Sequence, residues 1–128
     1  MSPATLADAL EEAAIQHGDR AAFVDGDQRL SLAEWERRAD GLAAVLVERG
    51  VRPGDVVAIM LPTSIDYVVV YGAITKAGAI ATGLNVRLGA REIASILDPR
   101  SRRARRGDLG SPRVHDGALG RPAGDRTR

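Results

Sequence analysis

The sequence has 128 residues, of which 45% are hydrophobic and 27% charged, and this composition is typical of one soluble domain with a modest core. It contains no cysteine, which excludes disulfides, zinc–thiolate sites and thiol nucleophiles. The start shows no secretory pattern, and the longest apolar run, residues 67–74, is far shorter than the ~18 to 20 residues that cross a bilayer. We therefore expect a cytoplasmic protein without a membrane span.

The small net charge of +1 conceals two differently composed segments. Residues 1–100 carry 10 Lys+Arg and 14 Asp+Glu, whereas residues 101–128 carry 8 Arg and 3 Asp. The second segment is rich in Arg, Gly, Ala and Pro and has few large aliphatic side chains, so it cannot offset an ordering cost of ~1 to 2 kcal/mol per residue. We expect a domain over residues 1–100 and a disordered tail over residues 101–128.

The chain begins with a helix and a hairpin. Residues 5–17 place apolar side chains on one face, and Thr5 with Asp8 forms a potential capping box at the start of this helix. Residues 21–24 and 29–30 flank an Asp-Gly turn, which predicts a small hairpin with a short second arm.

A second, longer helix follows the hairpin. Ser31 and Glu34 form a capping box at its start, and Gly50 marks its end. Apolar residues at spacings of three and four predict its buried face, made of Leu32, Trp35, Ala39, Leu42 and Leu46. The polar residues opposite predict a solvated face, made of Glu36, Arg37, Asp40, Glu48 and Arg49.

The centre of the chain predicts a strand-helix-strand crossover. Residues 56–61 form an uninterrupted apolar run, which is typical of a parallel strand covered on both faces. Thr63 or Ser64 can cap an apolar helix over residues 65–77, and Gly78 ends it before a second strand over residues 79–82. The predicted fold class is α/β.

A short helix over residues 90–97 ends before Pro99, and no further apolar strand follows it. The crossover strands and the apolar helix between them require cover on all sides, so these elements predict an incomplete three-layer unit. An uncovered strand edge and apolar face favour self-association or a partner.

Several segments in order resemble the start of the large N-terminal domain of AMP-forming acyl-CoA synthetases, the adenylate-forming family. They are Leu-Ser-Leu-Ala-Glu-Trp at 30–35, Val-Arg-Pro-Gly-Asp-Val-Val-Ala-Ile-Met-Leu-Pro at 51–62, Lys-Ala-Gly-Ala at 76–79 and Leu-Asn-Val-Arg-Leu at 84–88. The resemblance covers most of residues 5–99, and the segment at 84–88 is most similar to fatty or aromatic acyl-CoA ligases.

This resemblance implies that full-length relatives activate a carboxylic acid with ATP and Mg²⁺ and then form a thioester with coenzyme A. It also implies a Thr/Ser/Gly-rich phosphate loop ending in Pro-Lys-Gly, an acidic residue that holds the ribose, and a catalytic lysine in a mobile domain. The sequence contains none of these motifs, and Lys76 is its only lysine. We therefore expect a truncated ligase, inactive alone, with no catalytic or metal-binding residue and no cofactor of its own.

Arg87 is the one candidate for a cofactor contact. In some similar ligases an arginine at this place reaches a phosphate of coenzyme A, and a guanidinium fork suits that role. The alternative is an exposed loop arginine or a structural ion pair, because a phosphate site needs several converging donors. Lys76 is predicted to be a helix-terminal cation favoured by the helix dipole.

Two alternative functions and one hypothesis for the origin of the tail concern the whole chain. The Arg-rich tail could bind nucleic acid or another polyanion, but it lacks interleaved aromatic residues and contains three aspartates, which makes nucleic acid a poor candidate. A separately encoded downstream half could complement this chain. A reading-frame change near Arg100 would account for the Arg, Gly, Ala and Pro excess of the tail, since these residues have GC-rich codons.

Overall fold

The computed structural model of the chain describes residues 5–98 and the backbone of residues 114–115. In chain order, the elements are α1 (Leu6–His17), β1 (Ala21–Asp25), β2 (Gln28–Ser31), α2 (Leu32–Glu48), β3 (Val56–Ile59), α3 (Ile65–Lys76), β4 (Ile80–Gly83), α4 (Ala90–Leu97) and β5 (Val114–His115). The strands form an antiparallel hairpin of β1 and β2 and a parallel sheet in the order β4-β3-β5. The predicted α/β class and the strand-helix-strand crossover are confirmed.

Side-chain caps fix where the three longer helices begin. Thr5 and Ser31 each accept a hydrogen bond from the main-chain N–H three residues later, and the carboxylates of Asp8 and Glu34 bond back to the cap amides. The amide of Ser31, followed by its hydroxyl, lowers the pKa of Glu34 by bonding to the charged carboxylate. Ser64, rather than Thr63, caps α3.

The core lies between α2, α3 and one face of the parallel sheet. Alternate residues of a strand point to opposite faces, and Val57 and Ile59 of β3 lie on the face that the two helices cover. Ile74 in the last turn of α3 is fully buried. The remaining buried members of this core are Ala43, Leu46, Val51, Ala73, Ala77 and Ala79. The side of this apolar helix that faces α2 and the sheet is thus covered.

Two glycine turns meet at the start of β3. Gly54 and Gly78 have φ values of +85° and +74°, which L side chains rarely adopt. The amide of Gly54 donates to the carbonyl of Gly78 at 2.9 Å, and Pro53 packs against Gly78. Asp55, which is buried, accepts a hydrogen bond from the amide of Arg52 and closes the turn. These contacts align the start of β3 with the start of β4.

The structure corrects two predictions about side-chain burial. Tyr71 belongs to the apolar helix over residues 65–77, for which the sequence predicted cover on all sides, but it is 38% exposed. Glu36, assigned to a solvated face, lies against α3 with its side chain 19% exposed. Helical spacing identifies which residues share a face, but the second helix decides how much of that face it covers.

Strand ends also differ from the prediction. The apolar run 56–61 contributes only four residues to β3, because the parallel pairing with β4 ends where the amide of Leu84 bonds to the carbonyl of Ile59. Met60, the next residue, is 45% exposed.

The prediction of a disordered tail falls mainly outside the described residues. At Val114 and His115 the backbone forms β5, a strand of two residues that pairs in parallel with Val56 and Val57 of β3. Among the described helices, none is both long and apolar enough to span a membrane.

Candidate functional site

The carboxyl ends of β3 and β4 lie side by side, since the two strands are parallel neighbours. Residues 60–64 follow β3 and lead to the N-terminus of α3, and residues 84–88 follow β4. In open α/β sheets, ligands bind in the crevice outside the carboxyl ends of the strands. We therefore take this edge, formed by residues 60–64 and 84–88, as the candidate site and call it the carboxyl edge.

The loop that carries Arg87 is shaped by Asn85. The Asn85 side-chain oxygen accepts a hydrogen bond from the amide of Arg87 at 2.9 Å, and its main-chain carbonyl accepts one from Leu88 at 3.1 Å. These two bonds make an Asx turn inside a β-turn, which fixes the backbone at position 87. The guanidinium of Arg87 is exposed and forms no ion pair with any described residue.

Tyr67 joins α3 to the end of β4. Its amide donates to the cap oxygen of Ser64 at 3.3 Å, and the Ser64 hydroxyl in turn donates to the carbonyl of Pro62. The Tyr67 hydroxyl lies so near Gly83 that a Cβ built at that glycine would be only 2.8 Å away. The N-terminus of α3 and the end of β4 are therefore held together by direct packing, and residue 83 must lack a side chain for this contact.

The carboxyl edge does not form a complete phosphate or metal site within the described residues. Arg87 is its only cation, and no group of three carboxylate or imidazole side chains that could hold a metal ion occurs in the described ranges. A surface depression of about 390 Å³ lies elsewhere, at the end of α1, lined by residues 14–20. The residues present therefore do not fit ATP and Mg²⁺, whereas Arg87 suits one phosphate of a larger ligand.

Lys76 has a partner that its sequence position did not indicate. Its ammonium lies 2.5 Å from Glu36 Oε1 and 3.1 Å from Asp40 Oδ1, both on α2, and its side chain is only 10% exposed. The prediction of a helix-terminal cation is correct for its place in the last turn of α3, but its contacts are between helices. This ion-pair cluster of Glu36, Asp40 and Lys76 joins α2 to α3.

Burial and the two carboxylates shift the pKa of Lys76 in opposite directions. Partial burial disfavours the charged ammonium, but the hydrogen bonds and charges of Glu36 and Asp40 outweigh it and raise the pKa of Lys76 above its ordinary value. A lysine that keeps its proton more firmly is a poor general base or nucleophile. The cluster is therefore structural. The tail arginines, the other candidates for anion binding, lie outside the described residues.

Sequence comparison with known proteins finds, among others, two relatives that are both CoA ligases. A medium/long-chain-fatty-acid–CoA ligase from Mycobacterium tuberculosis is 40% identical over 96 residues, covering 75% of this chain and 16% of the relative. A methyl-dioxo-octahydroindenyl-propanoyl:CoA ligase from Rhodococcus jostii is 38% identical over 96 residues, covering 75% of this chain and 19% of the relative. The chain thus spans less than a fifth of the length of these two relatives.

Solved structures give the same result. The N-terminal subdomain of Klebsiella oxytoca NpsA, in complex with 3-hydroxyanthranilyl-AMSN, superposes with a TM-score of 0.71 at 26% identity over 74% of this chain and 24% of that chain. A Mycobacterium tuberculosis fatty acyl CoA synthetase superposes with a TM-score of 0.68 at 30% identity over 73% of this chain and 19% of that one. The AMP-binding enzyme family model matches residues 10–100, and the chain belongs to the AMP-binding enzyme family.

Proposed function

We propose that this chain supplies the first part of the large domain of an AMP-forming acyl-CoA ligase, and that it is inactive alone. The complete enzyme would activate a fatty or aromatic acid with ATP and Mg²⁺ and then transfer the acyl group to coenzyme A. The observation that carries this proposal is the match over residues 10–100 together with relatives that are fatty-acid–CoA ligases.

The geometry supports a positioning role for the described part. The Tyr67–Gly83 contact and the Ser64 cap join the end of residues 60–64 to the start of residues 84–88. A ligand site requires a rigid scaffold beneath such loops, because a small displacement of a reacting group lowers the reaction rate strongly. Within that edge, we assign Arg87 to a phosphate of coenzyme A from the resemblance to similar ligases, and its exposure, its fixed backbone and its charge support the assignment.

A chimera tests the proposal. Residues 5–98 would be fused to the part of the Mycobacterium tuberculosis ligase that follows its matched region, and acyl-CoA formation would be measured with fatty acids of medium and long chain length. We expect the chimera to form the thioester, while this chain alone and the ligase remainder alone do not. Thioester formation by the chain alone would contradict its proposed inactivity. A folded chimera that formed neither acyl-adenylate nor thioester would contradict the ligase assignment.

A further inference from the structure

Lys76 carries the only amine side chain in the sequence. The other 17 of the 18 Lys and Arg residues are arginines. A guanidinium group is not deprotonated in proteins, so arginine does not react as a nucleophile in the way that a lysine amine does. A reagent that acylates amines therefore has a single lysine to modify, and the surroundings of Lys76 decide whether it does so.

The packing of α3 on α2 restricts access to the Lys76 nitrogen. The side chain is only 10% exposed, although it lies in the last turn of α3. Glu36 and Asp40 are four residues apart on α2 and therefore lie on the same face of that helix. Their oxygens lie 2.5 Å and 3.1 Å from the nitrogen. A reagent would have to displace these carboxylates to reach the nitrogen.

The same two carboxylates keep the Lys76 nitrogen protonated. An amine is acylated only in its neutral form, because an ammonium group has no lone pair with which to attack. Partial burial favours the neutral amine, but the hydrogen bonds and charges of Glu36 and Asp40 outweigh burial and raise the pKa of Lys76. The geometry that covers the nitrogen thus also lowers the fraction that can react.

Acylation of Lys76 would destabilise the contact between α2 and α3. An acylated lysine is an uncharged amide with one N–H, so it cannot replace an ammonium group between two carboxylates. Glu36 has a side chain that is 19% exposed, and its Oε2 lacks a hydrogen-bond partner among the described residues. A largely buried carboxylate that loses its cation is strongly destabilising. Protection of Lys76 therefore preserves the fold.

We propose that Glu36 and Asp40 shield Lys76 from acylation by acyl-adenylates. This inference rests on the proposed function, because the complete ligase would form an acyl-adenylate, a mixed anhydride of a carboxylic acid and a phosphate. In the reaction that the ion-pair cluster prevents, the neutral amine attacks the acyl carbon and a C–N bond forms. The bond from the acyl carbon to the phosphate oxygen breaks, AMP leaves with the electron pair, and the nitrogen releases a proton to water. Covering and protonating the nitrogen blocks the attack.

Acetyl phosphate tests the inference, because it is a mixed anhydride of the same class and requires no ligase activity. The full 128-residue chain with Arg91→Lys has one lysine in the cluster and one at an exposed position of α4. Peptide mass spectrometry follows acetylation of both in one sample. We expect Lys76 to react at least about tenfold more slowly in the native protein, since one pKa unit alone changes the neutral fraction about tenfold. In urea the two rates should become equal.

Two charge-removing variants and a matched control assign the effect to the carboxylates. We expect Glu36→Gln to speed acetylation of Lys76 about tenfold, and Asp40→Asn to speed it about threefold, because the charge of Asp40 is better screened by solvent. The Asp40 side chain is 70% exposed, so this variant should fold even if Glu36→Gln does not. Glu48→Gln, at an exposed acid of the same helix, should leave the rate unchanged. Circular dichroism establishes that each variant is folded.

The outcomes separate this inference from the proposed function. Equal acetylation of the two lysines in the native protein would overturn the shielding, even if the chimera formed acyl-CoA. A Lys76 that stayed slow in urea, or an unchanged rate in folded Asp40→Asn, would also overturn it, because the carboxylates would then not be the cause. A shielded Lys76 together with a folded but inactive chimera would uphold the shielding against mixed anhydrides and count against the proposed function.

Discussion

The indole Nε1 of Trp35 on α2 donates a hydrogen bond to the main-chain carbonyl of Val68 on α3 at 2.9 Å. The ring is also held from the side by Phe23, whose centroid lies 4.9 Å away at an interplanar angle of 81°. This edge-to-face geometry is a favourable arrangement for two aromatic rings. Trp35 thus links the hairpin, α2 and α3, and the close approach of the two helices at this point leaves no room for additional atoms.

Gly72→Ala should destabilise the protein although alanine is the better helix former. A Cβ at Gly72 would lie 2.8 Å from Trp35 Nε1 and 3.1 Å from the Cβ of Ala39, so the helices would have to separate. We expect a loss of about 1 to 3 kcal/mol, as for other overpacked cores, measured by chemical denaturation followed by circular dichroism. Gly41→Ala is the matched control.

Gly41→Ala, the control, should change the stability of the protein in the opposite direction. Gly41 lies inside α2, is exposed, and would have no atom within 4 Å of an added Cβ. Alanine there should stabilise the helix by about 0.5 to 1 kcal/mol. If both substitutions stabilised the protein equally, the close contact between Trp35 and Gly72 would not exist in solution.

Removing the charge of Lys76 should be more costly than removing the whole ion pair. Lys76→Met leaves the carboxylate of Glu36 largely buried, with its Oε2 already lacking a hydrogen-bond partner. We expect a loss of about 3 kcal/mol, and recovery of much of it in the double variant with Glu36→Leu, because an apolar pair can replace a buried ion pair. Equilibrium denaturation of the four proteins in the cycle measures this coupling. Additive losses in the double variant would argue against a buried pair.

Stability should fall at alkaline pH through Lys76. Its pKa is raised in the folded state above its ordinary value of 10.5, so its contribution to stability is complete below that pH and is lost as the pH rises through the higher folded value. We expect the melting temperature of the native protein to fall more steeply than that of Lys76→Met above about pH 10.5. Tyr67 and Tyr71 are present in both proteins, so the difference between the two curves isolates Lys76. Parallel curves would contradict the raised pKa.

Arg87→Ala, introduced into the chimera described above, should weaken coenzyme A binding without affecting adenylation. A charge-assisted hydrogen bond contributes about 1.5 to 3 kcal/mol, which corresponds to a KM for coenzyme A raised about 10-fold to 100-fold. Pyrophosphate exchange, which reports the first half-reaction, should be unchanged. Arg91→Ala, at an exposed arginine on the neighbouring helix α4, is the control. Equal effects of both substitutions would indicate only a general loss of positive charge.

The sequence alone determined where the helices, the turns and the crossover lie and that the fold class is α/β. Capping boxes at Ser31 and Thr5 and the left-handed glycines are local signals, so the helix starts and turns could be identified within a few residues. The unbroken apolar run at 56–61 and the apolar helix after it predicted a buried crossover. The apolar content of a segment indicates that it is buried, whichever elements cover it. The ordered segments further identified the family.

Only the tertiary structure decided which residues meet across the fold. The ion-pair cluster brings Lys76 to two carboxylates that lie 36 and 40 positions before it in sequence, and no local pattern distinguishes Glu36 from the exposed acids of the same helix. The shorter β3 and the exposure of Tyr71 likewise follow from register and from the packing of one element on another. Periodicity assigns a residue to a face, but the partner that covers that face is a property of the folded chain.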